Sequence, residues 1–524
     1  MSQARNSSIG EGTRRRWMLP DVLMPGLLGL TAASCASAPS VPTRGCENGD
    51  TAECVKLGAK YADGEGVAKD PVRAVSLFKG ACDRGDLKGC SKLGARYLHG
   101  EGVGKDVQRA RQLFAQACDG GLARGCVDLG FLYKKGLGVA KDTARALQLY
   151  RDACDQGDAS GCGRLAVLYA TGEGIDEDLA RAMTLFQRAC DGDHAVSCLN
   201  LGHMYNRGEG VPRDTMQAAR FYRRSCEGGE GAGCASLGFL YANGDGVPRD
   251  LARSVQLALR ACDKGSAEGC ANLGVAYQDG EGVAKDLPRA MVFFEKACDA
   301  GDGLSCVNLG IRHHEGKDGL AKDLARAQRF FQKSCDAGNA EGCASLGAMY
   351  VTGESGAHDV GRGLQLTQQA CEKGSARGCG NLGVGYRDGQ GTSKDLVRAA
   401  QLFKQSCDAG DTESCNNLAA MYAEAGNATE DLFAVQLFTK ACDGGDQVSC
   451  ANLATMYEQG RGVSKNLARA VQLRERACES GNAGACLKLG VMYHEGIGVP
   501  RDAARAARLY QRACERGLRP ACRL

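Results

Sequence analysis

Cysteine spacing constrains this chain more than any other feature. Of its 29 cysteines, 28 fall into 14 pairs whose members lie eight positions apart. They are Cys46 with Cys54, Cys82 with Cys90, Cys118 with Cys126, Cys154 with Cys162, Cys190 with Cys198, Cys226 with Cys234, and Cys262 with Cys270. The series continues with Cys298 and Cys306, Cys335 and Cys343, Cys371 and Cys379, Cys407 and Cys415, Cys442 and Cys450, Cys478 and Cys486, and Cys514 and Cys522. Cys46 to Cys514 spans 468 residues, thirteen periods of 36, with one of 37 (Cys298 to Cys335) offset by one of 35 (Cys407 to Cys442). A period of roughly 20–50 residues marks a solenoid or array, in which each unit packs on its neighbours. Residues 46–522 are therefore read as one array, although length alone would suggest three or four globular domains.

The segment 270–298 shows what a repeat encodes. Leu273, Gly274 and Tyr277 follow Cys270 at positions three, four and seven, one face of a helix beginning near that cysteine. Gly280-Glu281-Gly282-Val283 breaks it, because glycine readily takes positive φ. Asp286 is placed to cap a second helix, Ala290, Phe293, Phe294 and Ala297 give that helix its buried face, and Gly301 ends it. Leucine holds position three in all 13 units, Leu57 to Leu489. Position four is glycine except at Ala166, Ala419 and Ala454. Glycine inside a helix costs about 1 kcal/mol relative to alanine, so its recurrence predicts a close approach between helices. Position seven is tyrosine except at His313. That could be a stacking ladder for ligands, but helical spacing with the leucines favours core between repeats.

Two residues eight apart on one continuous helix would be ~12 Å apart, and a disulfide needs Cα atoms within about 7 Å. The chain must turn within each pair if the pair is bridged, and turn-rich segments such as Asp83-Arg84-Gly85-Asp86 supply the means. Each bridge would staple the end of one repeat's second helix to the start of the next repeat's first. Structural zinc prefers Cys separated by about two to four residues, and no regular Cys or His partners offer that. Dense, evenly paired cysteines point to disulfides and an oxidising compartment.

Cys35 belongs to no pair. It follows Arg14-Arg15-Arg16, the apolar run from Val22 to Leu30, and small residues Ala32-Ala33-Ser34. The run is too short for a membrane span and has a signal-peptide layout. Small residues before a cysteine resemble the bacterial lipobox, although Ala32 stands where leucine is usual. The expectation is a signal peptide at 1–34, a lipidated Cys35 with a tether to residue 45, and the array thereafter. Ala36 is not the aspartate that retains lipoproteins in the inner membrane in well-known Gram-negative systems, so the resemblance favours the outer membrane, facing periplasm or cell surface.

The string Leu-Gly-x-x-Tyr-x-x-Gly-x-Gly-Val-x-x-Asp, carried here by Leu273, Gly274, Tyr277, Gly280, Gly282, Val283 and Asp286, with Ala290 beyond, resembles the Sel-1-like repeat. The added cysteine pairs resemble its cysteine-rich secreted branch, first described in Helicobacter. The resemblance implies an all-α fold: a tetratricopeptide-like α/α solenoid, a right-handed superhelix of about 13 helix pairs with interhelix disulfides. It also implies an adaptor that holds a protein or peptide on its concave face. Cysteine-rich members have been described as β-lactam-binding with weak β-lactamase activity, which makes a hydrolase an alternative; a passive spacer is another.

The residues offer little for catalysis. The one Ser-x-x-Lys, Ser76 to Lys79, lacks the Ser-Asp-Asn and Lys-Thr-Gly elements of a serine β-lactamase. The seven histidines form no ligand motif, so no metal or cofactor is expected. Net charge is +3 with signs interspersed, which gives no electrostatic case for nucleic acid. The stronger binding signal is position two after the second cysteine, occupied by Asn200, Asn272, Asn308, Asn381, Asn417 and Asn452, with Ser236 and Ser345 between. One amide can donate and accept at once, as gripping a peptide backbone requires. Asparagine near a helix start could equally satisfy local backbone. The early units carry Lys56, Lys92, Asp128 and Arg164 instead. Irregular units occur where Ala258, Thr367 and Arg474 replace the usual aromatic, at the lengthened segment 312–322 and at the shortened segment 424–431; the last two are expected to alter local curvature.

Overall fold

The computed structural model describes residues 46, 48–356 and 358–523; Cys35, the signal segment and the tether lie outside them. Among the described residues there are 26 α-helices and no strand. They form two compact units, divided between Ala290 and Met291. Within each unit the two helices of a repeat pack together, and each pair packs on the next.

One repeat explains the rest. Its first helix is Leu87–His99, capped by Asp86, whose carboxylate accepts the Gly89 N–H at 2.9 Å. Gly100 ends it with φ 77°, a left-handed conformation that a side chain rarely adopts. Two residues on, a Cβ at Gly102 would collide with the Pro71 carbonyl, so this glycine lets the turn dock on the preceding repeat. The second helix, Val107–Asp119, is capped by Asp106, which accepts the Arg109 N–H at 2.9 Å and donates its own N–H to the Tyr97 carbonyl at 2.9 Å. The same aspartate-to-tyrosine bond recurs in most repeats between Asp70 and Asp502, with His313 standing in for tyrosine opposite Asp323.

The glycine at position four faces the second helix's aromatic ring. A Cβ on Gly94 would lie 2.7 Å from the Phe114 ring, and one on Gly202 would come closer still to Tyr222. The predicted close approach is thus a ring laid on bare backbone. Where the aromatic is absent, Ala258, Thr367 and Arg474 are themselves buried. Arg474, 2% exposed, pairs with Glu458 and donates to the Thr455 hydroxyl at 3.2 Å.

All 28 paired cysteines are bridged, with Cα–Cα distances of 4.5–4.9 Å. The helix boundary at the bridges differs from the sequence reading. Each first helix starts about three residues earlier than the second cysteine: Ala267–Asp279 begins after a Ser266 cap, not near Cys270. The same shift places Cys54, Cys90, Cys126, Cys162, Cys198 and Cys234 inside the first turn of their helices. It does so again for Cys306, Cys343, Cys379, Cys415, Cys450 and Cys486, while Cys522 lies in the closing 3-10 helix Arg519–Arg523. The polar residue read as part of the turn is the cap. Small residues just before every second cysteine but Cys54, which follows Glu53, allow the closure. A Cβ on Gly125 would lie 2.6 Å from Ala117 Cβ and 2.8 Å from the Cys118 nitrogen. The basic residue late in the next second helix then ties the joint: Arg224 donates to the Cys190 carbonyl at 2.7 Å, and Lys440 to that of Cys407 at 2.9 Å.

Seven of the position-seven tyrosines are capped on one face by an arginine of their own repeat. The Arg73 guanidinium lies 4.6 Å from the Tyr61 centroid, and Arg398 lies 4.9 Å from Tyr386. The irregular units differ from each other. The lengthened one keeps helices of 13 residues and places the extra residue in the loop, where Asp318 has φ 58° and bonds Arg312 at 3.0 Å. The shortened one extends its helices to Thr412–Ala425 and Ala428–Asp443, which buries Asp431 against Arg461.

Candidate functional site: a groove on the first helices of the second unit

Four first helices of the second unit, Gly303–Glu315, Ala340–Thr352, Ala376–Asp388 and Thr412–Ala425, contribute to one groove of about 430 Å³. Because the repeat holds register, positions two, five and nine of successive helices fall side by side. Position five supplies the apolar floor, Ile311, Ala348 and Val384; position two supplies Ser345, Asn381 and Asn417. Ser345 is 7% exposed, and its Oγ is buried with no hydrogen-bond partner in the protein.

The rim is charged. Glu315, Glu354, Asp411 and Glu413 line it, with His314 and Arg377. His314 Nε2 meets Glu354 Oε2 at 2.7 Å, a tie between residues 40 apart in sequence. Asp411 is held as a helix cap, accepting the Ser414 N–H at 2.9 Å. The Glu315 carboxyl is held below its usual range, foremost by a hydrogen bond from Lys317.

The structure brings two of the six predicted asparagines into the groove. Asn381 Nδ2 donates to the Ala344 carbonyl at 3.3 Å, and Asn417 Oδ1 accepts from Arg387 at 3.2 Å, so each also bonds a neighbouring repeat. Asn452 donates to Asn416 Oδ1 at 3.1 Å. Asn308 is exposed outside the groove. In the first unit Asn272 is half-buried, and Asn200 is fully enclosed, with no surface to offer a ligand as it stands. Sequence reasoning missed the acidic rim and Ser345's buried hydroxyl. Serine at position two was the only visible signal.

Other candidate chemistry is dispersed. Ser76 is exposed on the helix Pro71–Asp83, and Lys79 is paired with Asp83 at 2.7 Å. Three titratable groups of the first unit are drawn out of solvent. Asp128 accepts from the Ser91 hydroxyl at 3.0 Å, and burial pushes its carboxyl up, opposed by Arg124 at 3.4 Å. His194 Nδ1 sits 2.8 Å from Ser197 Oγ, and His203 Nδ1 is 2.9 Å from the Tyr222 hydroxyl. Burial pushes both imidazoles down to about 4, aided by Arg164 and Arg124 for His194 and by Arg207 for His203.

The Sel1 repeat profile matches thirteen consecutive segments: 54–86, 87–122, 123–158, 159–194, 195–230, 231–266, 267–302, 303–339, 340–375, 376–411, 412–446, 447–482 and 483–518. The chain belongs to the Sel1 repeat family. Sel1 arrays are scaffolds that typically mediate protein–protein interaction. Among solved structures, a protective antigen of uropathogenic Escherichia coli displaying this fold is 27% identical, covering 85% of this chain and 88% of its own, with a TM-score of 0.53. A Sel1 repeat protein from Oxalobacter formigenes is 24% identical over 47% of this chain and 96% of its own, at a TM-score of 0.42. Helicobacter pylori cysteine rich protein B is 30% identical over 26% of this chain and 97% of its own, at a TM-score of 0.22. No curated protein sequence matches the chain.

Proposed function

We propose that this Sel1 repeat protein is an exported, lipid-anchored scaffold that holds a peptide or protein segment in the groove of its second unit. The observation that carries the reading is the groove's composition: an apolar floor crossed by the amides of Asn381 and Asn417 and the buried hydroxyl of Ser345. Preformed ligand sites are mostly apolar, with a few placed polar groups. Fourteen bridges support an oxidising compartment. The arginine cluster, apolar run and small residues before Cys35 support cleavage after residue 34 and lipid attachment at Cys35, with residues 35–45 as tether and the outer membrane as destination.

The binding test is a pull-down with the mature array, intact and with the six asparagines changed to alanine. Selective loss of a partner is expected; equal recovery of every partner sinks the role of the amides. The anchoring test is metabolic labelling with a radioactive fatty acid in a bacterial host. Label should enter the wild-type chain and be lost in Cys35→Ser, which should also leave the membrane fraction.

A further inference from the structure

We infer that this groove selects an extended segment in which Lys or Arg side chains alternate with apolar ones. The inference rests on the reading of the face as a peptide site and adds the chemistry of its occupant. Four carboxylates line the groove, Glu315, Glu354, Asp411 and Glu413, against one guanidinium, Arg377. That guanidinium is itself drawn towards Glu341, whose Oε2 lies 3.7 Å from its Nε. His314 is committed to Glu354 at 2.7 Å. Glu315 is met by Lys317 from outside the groove, and Asp411 by its cap bond, while Glu413 is exposed in the first turn of its helix. The rim therefore presents net negative charge to whatever enters, and complementary charge steers encounter and excludes like-charged partners.

A second, independent feature points to an occupant. The Ser345 hydroxyl is buried on the floor without a protein partner. An unsatisfied buried polar group is costly, and a peptide amide or carbonyl arriving there would satisfy it. Beside it lie Ile311, Ala348 and Val384, sized for aliphatic side chains. In an extended peptide successive side chains point to opposite faces. A segment lying along the groove would thus send apolar residues to the floor and the alternate ones to the carboxylate rim. The floor and rim together specify the alternation, and the charge of the rim specifies its sign.

The test uses the mature protein and two fluorescein-labelled hexapeptides, alternating lysine with valine or glutamate with valine, read by fluorescence anisotropy. The lysine peptide should bind at least about tenfold more tightly. Binding should weaken about threefold or more when Glu315→Gln is combined with Glu413→Gln, and should weaken with added salt. Val384→Arg, on the floor, should abolish it, and Ala348→Gln, a milder block, should reduce it if Val384→Arg fails to fold. Equal affinity for the two peptides, or preference for the glutamate one with loss in Val384→Arg, overturns the charge selectivity and leaves the groove as a peptide site. Lysine-peptide binding that ignores both floor variants overturns the inference by placing the contact elsewhere. No binding by either peptide overturns the inference together with the reading beneath it.

Discussion

The first and second units are written in the same repeat, yet they place different chemistry on the same scaffold positions. At position two the first unit begins with Lys56, Lys92, Asp128 and Arg164, and it encloses Asn200 completely. The first unit also has Ser236 and Asn272 at this position, but it is in the second that Ser345, Asn381 and Asn417 line a groove. Both units enclose titratable groups, Asp128, His194 and His203 in the first and His313, Asp431 and Arg474 in the second, but the second also opens polar groups onto a groove. A repeat fixes where side chains go and leaves open what they are, so two units of one scaffold can carry different chemistry at the same positions.

The largest expected difference is the response to acid. His194 and His203 are neutral in the folded state down to about pH 4, whereas an unfolded histidine binds its proton near 6.5. The unfolded chain therefore takes up more protons between those values. Stability from these groups is fully present above about pH 6.5 and is lost as pH falls towards 4. Each imidazole contributes up to about 3 kcal/mol on that scale. The thermal midpoint should drop between pH 7 and pH 4.5, and combining His194→Asn with His203→Asn should remove much of the drop. An unchanged pH dependence in that variant would erase this contrast between units.

The disulfides should behave alike in both. Closing so short a loop is worth about 2.5 kcal/mol in the chain-entropy model. Cys154→Ser paired with Cys162→Ser in the first unit, and Cys407→Ser paired with Cys415→Ser in the second, should each lower urea-unfolding stability by that order. A several-fold difference between them would mean that one unit relies on its joints far more than the other.

Position four should resist change in both directions. Gly202→Ala pushes a methyl into the Tyr222 ring, and overpacking costs about 1–3 kcal/mol. Ala454→Gly, opposite Arg474, removes a methyl and should cost about 1 kcal/mol through helix propensity. Stabilisation by Gly202→Ala would refute the ring-on-backbone packing. The smallest effect should come from the amides: Asn452→Ala loses its bond to Asn416, about 1 kcal/mol, while the exposed Asn308→Ala should be neutral. Equal melting of the two would remove the case that the amides tie repeats together.

What repeats was readable. The helix pairs, the aspartate caps, the position-four approach and the bridges depend on residues within about one period of each other, and each recurs along the whole array. The small residue before nearly every second cysteine was equally visible, but its meaning depends on how near Ala117 comes to Gly125. The groove was not readable. His314 and Glu354 stand 40 residues apart at positions with no repeated identity, and Ser345 matters because its neighbours leave its hydroxyl alone. The six asparagines look equivalent in sequence and are not. Burial separates Asn200 from Asn308, and three others bond the adjacent repeat.

The eight-residue separation of each bridge also bears on how the chain reaches this state. For Cys54, the nearest wrong partner further along the chain is Cys82, 28 residues away. Loop-closure probability falls with roughly the three-halves power of length, so the native partner is favoured about sixfold from the outset. Each thiol therefore meets its correct mate first. A chain emerging end-first into an oxidant can be sealed joint by joint, with 28 cysteines sorted by proximity along the chain and little need for reshuffling.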